Sequence, residues 1–125
     1  MKVLTIKNPW AELIINGYKK YEFRSWKTKY RGKILIHTGI NSDRQYINKF
    51  ENLNLDYKNG YIIGEAEIVD CIELDKEFED KLIKENKPVY GIVTGRSGYA
   101  WKLENVVKYN KPIPIKGRLG LWEYN

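Results

Sequence analysis

One cysteine, Cys71, and one histidine, His37, are all that the 125 residues hold of the two side chains most used for disulfides and zinc. A lone cysteine excludes an intrachain disulfide, and one of each leaves no ligand set for a structural zinc, so neither metal nor cofactor is expected. Long apolar runs are missing too. None approaches the roughly 18 residues that cross a bilayer, and Met1–Ile6 lacks the apolar centre of a secretory signal. No Gly-x-Ser-x-Gly hydrolase string occurs. Gly91-Ile92-Val93-Thr94-Gly95-Arg96-Ser97 has one residue too few between its glycines, and Arg where a phosphate loop carries Lys. A turn between strands is the simpler account, with Arg96 and nearby amides free to meet an anion. These absences leave a single soluble domain over residues 1–125 with no membrane contact, and the cytosol as the expected compartment.

Bulk and charge are what the chain does have. Hydrophobic residues make up 42% and include four Trp, ten Tyr and three Phe, enough for one core and too many for a disordered chain. The formal net charge is +6, unevenly spread: residues 1–44 hold ten Lys or Arg against three Asp or Glu, whereas residues 65–85 hold nine acids and three lysines. One basic face and one acidic face follow, and a basic face suits a polyanion.

The periodicities predict α+β. Val3–Ile6 reads as a strand that stops at Asn8-Pro9, where Asn8 can cap a helix and Pro9 suits its first turn. Trp10, Leu13 and Ile14 then form an apolar stripe, and Gly17 is placed to end the helix at positive φ. Lys20–Arg24 is a strand with Tyr21 and Phe23 toward the core and Lys20, Glu22 and Arg24 away from it. A second strand covers Gly32–Thr38, and Ser42 or Asp43 is expected to cap a weaker helix reaching about Leu53. Asn59-Gly60 turns the chain into the longest strand, Tyr61–Leu74, with Ile62, Gly64, Ala66 and Ile68 on one face and Glu65 and Glu67 opposite. A charged helix over Asp75–Asn86, anchored by Phe78, Leu82 and Ile83, ends at Pro88. Strands are expected at Tyr90–Val93, Tyr99–Tyr109, Pro112–Pro114 and Leu119–Tyr124. With two to three short helices and no regular crossovers, the expected architecture is a small, mostly antiparallel β-barrel. Trp10 and Trp122 are expected to pack in its core, while Trp101, on one strand face with Tyr99 and Leu103, is not assigned.

The chemistry concentrates at Gly17-x-Lys19-x-x-Glu22-x-Arg24 and the residues after it. The turn at Gly17 brings Lys19, Glu22 and Arg24 to one cleft: Arg24 offers a planar fork to phosphate or a base edge, Lys19 a point charge, and Glu22 an acceptor that holds either cation. A structural ion pair bracing the corner is the competing account. Ser25 and Thr28 add hydroxyls, while Trp26, Lys27, Lys29, Tyr30 and Arg31 interleave aromatics with cations as a single-strand-binding surface does. Packing of Trp26 or Tyr30 under the loop is the plainer alternative. His37, a lone imidazole at a strand end, is expected to be packed and hydrogen-bonded. Glu65 and Glu67 are expected near the pocket rim, where an acid beside Lys19 would be the minimum for acid–base chemistry.

The same residues resemble the ASCH domain, the activating signal cointegrator homology family. The resemblance rests on Asn8-Pro9-Trp10-Ala11, the Gly17 to Trp26 string, Tyr30-Arg31-Gly32, Gly60 through Asp70, Gly98-Tyr99-Ala100-Trp101, and Pro112 through Gly117 followed by Leu121-Trp122. It covers nearly the whole chain and implies a PUA-like β-barrel with a pocket that takes RNA or a nucleotide. Binding of single-stranded or structured RNA is the leading expectation, through Lys19, Glu22, Arg24, Ser25, Trp26, Lys27, Lys29 and Tyr30. A hydrolase is the alternative: some short members of the family cleave an amide on modified cytidine with a Lys, a Thr and a Glu, and others are reported as ribonucleases. Lys19 matches that lysine, but Glu22 stands at the threonine's place, so the triad is not intact. Lys19, Glu22 and Glu65 would then be the catalytic candidates. Whether the domain is an enzyme, has a protein partner or oligomerises is open at this point.

Overall fold

The computed structural model describes all 125 residues. Its strands are β1 (Lys2–Ile6), β2 (Tyr21–Arg24), β3 (Gly32–Thr38), β4 (Tyr61–Glu73), β5 (Tyr99–Pro114) and β6 (Leu121–Glu123), joined in one sheet of order β2-β5-β4-β3-β1-β6. Only β1 and β3 pair in parallel; the other four pairings are antiparallel. The expected α+β barrel is therefore present as a curled half-barrel with short helices.

Leu13 and Ile14 of α1 (Trp10–Ile15) are fully buried, each side chain contributing about 1.5–3 kcal/mol of hydrophobic stabilisation. Pro9 rather than Asn8 holds the N-cap position and makes no side-chain cap bond; Asn8, one residue earlier, still satisfies a first-turn donor, its Oδ1 accepting from the Glu12 amide at 3.1 Å. Gly17 has φ +87°, a conformation that residues with a Cβ rarely adopt. The turn hooks the chain so that the Tyr18 and Lys19 amides both donate to the Leu13 carbonyl, at 2.8 and 3.1 Å. Lys19 is thereby set at the mouth of β2.

Two large clusters share the strands between them. Leu4, Ile14, Ile34, Ile36, Ile68 and Trp101 centre one; Tyr21, Phe23, Leu82, Tyr90 and Val93 centre the other, beneath α3 (Lys76–Glu85) and α4 (Lys87–Tyr90). A smaller cluster joins Val3, Leu35, Ile62 and Trp122.

Three sequence expectations are corrected here. Tyr90–Val93 is not a strand: α4 runs to Tyr90 and a 3₁₀ turn covers Gly91–Val93. The Asn86 side chain accepts from the Val89 amide at 3.3 Å, and Pro88 sits in the first turn that this cap opens. Val89, Tyr90 and Val93 share a helical face as readily as a strand, and burial decides for the helix. In β4, Ile62 does not share the face of Ala66 and Ile68. The register shifts between Ile62 and Gly64, sending Ile62 toward Trp122 and Ile63 toward Ala66 and Ile68. Trp10 is only partly buried, because it belongs to the wall of a cleft as well as to the core.

His37 is buried among hydrogen bonds. The Trp122 indole donates to Thr5 Oγ1 at 3.0 Å, that hydroxyl lies 3.1 Å from His37 Nδ1, and His37 Nε2 lies 2.7 Å from the Ile115 carbonyl. A carbonyl can only accept, so Nε2 donates to it, and Nδ1 bonds to the Thr5 hydroxyl. The chain of bonds ties β1, β3 and β6 to the segment before β6.

Candidate functional site

Strand alternation builds the site. Along β2, Tyr21 and Phe23 enter the core while Glu22 and Arg24 turn to the other side, into a cleft of about 580 Å³. Glu22 is 7% exposed, yet each of its carboxylate oxygens meets a cation. Lys19 Nζ lies 3.2 Å from Oε1, and Arg24 Nε and Nη2 lie 3.1 and 2.9 Å from Oε2. Lys19 also donates to the Tyr21 carbonyl and sits 4.7 Å from the centroid of the Phe23 ring and 5.8 Å from that of Trp10. Burial pushes the Lys19 amine below its ordinary value, with the Glu22 charge opposing. For Glu22, burial favours the neutral acid, but Lys19 and Arg24 together outweigh it and hold the carboxyl below its usual range.

This pairing consumes much of what Arg24 was expected to offer. Nε donates to Glu22, and Nη2, 2.9 Å from the same carboxylate oxygen, donates to the Thr5 carbonyl at 2.7 Å. Nη1 makes no hydrogen bond within the chain, and Arg24 lines the cleft. Free cations come from elsewhere: Lys7, Arg96 and Arg118 line the same space and make no salt bridge. Arg96 is held with its guanidinium carbon 5.6 Å from the Phe23 ring centroid. In all, five cations and two carboxylates, Glu22 and Asp43, line the cleft.

Apolar groups ring its mouth. Trp26 is 39% exposed, Ile40 70% and Leu119 98%, and all three line this one space. Trp26 is positioned from behind: its carbonyl accepts from the Trp101 indole at 3.3 Å, and the two rings meet edge-on at 4.6 Å.

Of the residues expected to bind nucleic acid, Lys19, Glu22, Arg24, Ser25 and Trp26 line the cleft. Lys27 and Lys29 are exposed on the loop that leaves it, and Tyr30 packs against the core with its hydroxyl donating to the Lys33 carbonyl at 2.8 Å. The Thr28 hydroxyl is buried and accepts from the Tyr30 amide. Glu65 lies apart from the cleft lining, on β4, between the Tyr109 hydroxyl at 2.9 Å and Lys33 at 3.1 Å. Glu67 pairs with Asn105. Lys7, Arg118, Ile40 and Leu119 were not singled out from sequence, and Asp43 only as a helix cap. Lys7 and Arg118 had only their places beside Asn8-Pro9-Trp10 and Lys116-Gly117 as a signal.

A mixed six-stranded sheet curled into a half-barrel with short helices is a PUA-like architecture. The ASCH domain profile matches residues 4–113, and the chain belongs to that family, which is associated with RNA binding. The mouse and human proteins called activating signal cointegrator 1 are 25% and 27% identical over 132 and 135 residues. Each alignment covers 96% of this chain and 22% of the relative, so the chain spans about a fifth of their length. The crystal structure of ASCH from Zymomonas mobilis superposes with a TM-score of 0.56 at 17% identity, covering 90% of this chain and 72% of that one. A Tyr-to-Phe variant of it gives 0.55, with 90% and 74% covered. No helix here is long and apolar enough to cross a membrane.

Proposed function

We propose that the domain binds single-stranded or structured RNA in the Glu22 cleft, as a cytoplasmic module that needs no cofactor. The observation that carries this reading is the convergence of unpaired cations, Lys7, Arg96 and Arg118, with the exposed Trp26 ring around one space of about 580 Å³. Cations meet phosphates, and an aromatic face stacks an unpaired base. Lys19 and Glu22 act beneath the ligand, holding the Arg24 guanidinium through Glu22. Lys27, Lys29 and Tyr30 extend the surface along the loop, and Ser25 supplies a hydroxyl at the rim. The test is salt dependence: log affinity for a short unstructured RNA falls linearly with log salt, and each lost phosphate contact lowers the slope by about 0.7. Arg96→Ala and the Lys27→Ala, Lys29→Ala double variant should each flatten it. An unchanged slope in both removes the phosphate role.

One observation favours a second reading, a small hydrolase acting on RNA or a modified nucleoside. Lys19 is 2% exposed, held below its ordinary pKa by burial, and hydrogen-bonded to a carboxylate, which equips it to move a proton. Arg96 would then stabilise developing phosphorane charge. Glu65 plays no part in that geometry, since its carboxylate is engaged by Tyr109 and Lys33. Product release from RNA or an N-acylated cytidine that vanishes in Lys19→Met, with RNA affinity retained, would establish it.

A further inference from the structure

Asp43 holds the N-cap position of α2 (Arg44–Ile47), where an aspartate ordinarily accepts from the amides of the first turn. It does not do so: no side-chain cap bond forms. The carboxylate turns instead to the Trp10 indole, with Oδ2 3.3 Å from Nε1, while its own amide is fixed to the Asn8 carbonyl at 2.6 Å. Trp10 is held in turn by Tyr46, with ring centroids 5.1 Å apart, and by Phe50, at 6.1 Å. Asp43 is thus a positioned carboxylate lining a cleft that five cations share, and it pairs with none of them. Glu22, the other acid there, has both oxygens committed. Asp43 keeps Oδ1 and one lone pair of Oδ2.

An acceptor-only group left open in a cation-lined cleft does nothing for a phosphate; it repels one. It suits a ligand that presents N–H donors while its phosphate lies against the arginines. Among nucleobases, guanine presents two adjacent donors on one edge, N1–H and the N2 amino group, which a carboxylate meets side by side. Cytosine and adenine present one amino group each, and the single N–H of uracil lies between two carbonyls that a carboxylate repels. We propose that Asp43 is the base-selecting residue of the cleft and that it selects an unpaired guanine. This rests on the RNA-binding reading and adds to it the identity of the bound nucleotide.

The experiment uses the full chain, in two arms. In the first, an oligouridine RNA is compared with the same RNA carrying one central guanosine, adenosine or cytidine, for wild type and Asp43→Asn. The guanosine RNA should bind about tenfold tighter than the all-uridine RNA, with adenosine and cytidine between. Asp43→Asn should abolish that preference while leaving the salt slope as it was. In the second arm, guanosine, inosine and uridine monophosphates are titrated against backbone amide resonances. The shifts should cluster at residues 39–43 and weaken from guanosine to inosine, which lacks the N2 amino group, to uridine. RNAs bound equally whatever the central base would overturn the role of Asp43 and leave RNA binding standing. So would a preference that survives Asp43→Asn. If neither RNA nor any nucleotide binds, both readings fall together.

Discussion

Arg24 Nη2 donates to the Thr5 carbonyl at 2.7 Å, although β2 and β1 are separated in the sheet by β5, β4 and β3. A side chain on the free edge strand thus reaches across the open side of the half-barrel to a strand four places away. The same guanidinium holds Glu22, so one residue both fixes the curl of the sheet and shapes the floor of the cleft.

Arg24→Ala should therefore be more costly than the loss of a surface cation. Truncating one partner of a buried pair leaves charge uncompensated, at about 3–5 kcal/mol, though here Lys19 still holds Glu22 and the lower end applies. Urea denaturation should show the midpoint falling. Arg24→Lys, a point charge without the fork, should recover only part of it. A variant as stable as wild type would mean that the Thr5 bond contributes nothing net.

Acidification tests Glu22. Its folded pKa lies below the ordinary 4.5, so the unfolded chain binds the proton first as pH falls. The stabilisation is complete above the unfolded value and is lost as pH drops through the folded one. Glu65 and Glu123 are lowered as well, so the informative quantity is the difference between wild type and Glu22→Gln. That difference should be largest at neutral pH and shrink below about pH 4.5. Parallel stability curves for the two proteins over that range would remove the linkage.

How much of this was legible in the sequence depended on the range of the interactions. β2 alternates strictly, so Tyr21 and Phe23 against Glu22 and Arg24 could be read from spacing alone, and Gly17 at a helix end carries its positive φ openly. Ile62 could not be placed, because a bulge reverses the alternation and only the paired strand specifies it. Tyr90–Val93 carries a pattern that two structures share, and the choice lies in a cap from Asn86 and burial against Tyr21 and Phe23. The cleft was legible where it lies within one stretch, from Lys19 to Trp26. Lys7, Asp43, Arg96 and Arg118 come from four other segments, and curling of the sheet alone brings them together.

Gly117 is a further test of the segment that carries Arg118. A Cβ there would lie 2.4 Å from His37 Cε1, 2.6 Å from Nδ1 and 3.0 Å from Thr5 Oγ1. The imidazole is bonded on both sides and cannot swing away. Gly117→Ala should cost about 1–3 kcal/mol by overpacking, lowering the thermal midpoint. It should also weaken RNA binding, by displacing Arg118. Gly120→Ala, where a Cβ would meet nothing but φ is +67°, separates backbone strain from the collision with His37. Equal losses in the two variants would place the effect in the loop rather than at the imidazole.

Trp26 tests base stacking against packing. At 39% exposure its ring is still partly covered and meets Trp101 edge-on at 4.6 Å, while the contact from Trp101 to its carbonyl belongs to the backbone and survives substitution. Trp26→Ala should therefore lower the urea midpoint, by at least the roughly 0.5–1.5 kcal/mol of the aromatic pair, and affinity is to be read where the variant is fully folded. If the open face of the ring stacks a base, the same variant should lose about 1–3 kcal/mol of RNA affinity, some 5- to 150-fold, across all sequences, because every base has a face to stack. Trp26→Phe should retain part of that affinity, and Asp43→Asn combined with Trp26→Ala should lose base preference and overall affinity non-additively, because both side chains line the one cleft. Indole fluorescence gives a second readout: with three other tryptophans present, quenching by bound RNA should drop markedly in Trp26→Phe. Affinity unchanged in Trp26→Ala would assign the ring to covering Trp101, and the stacking surface would have to be sought on Trp10.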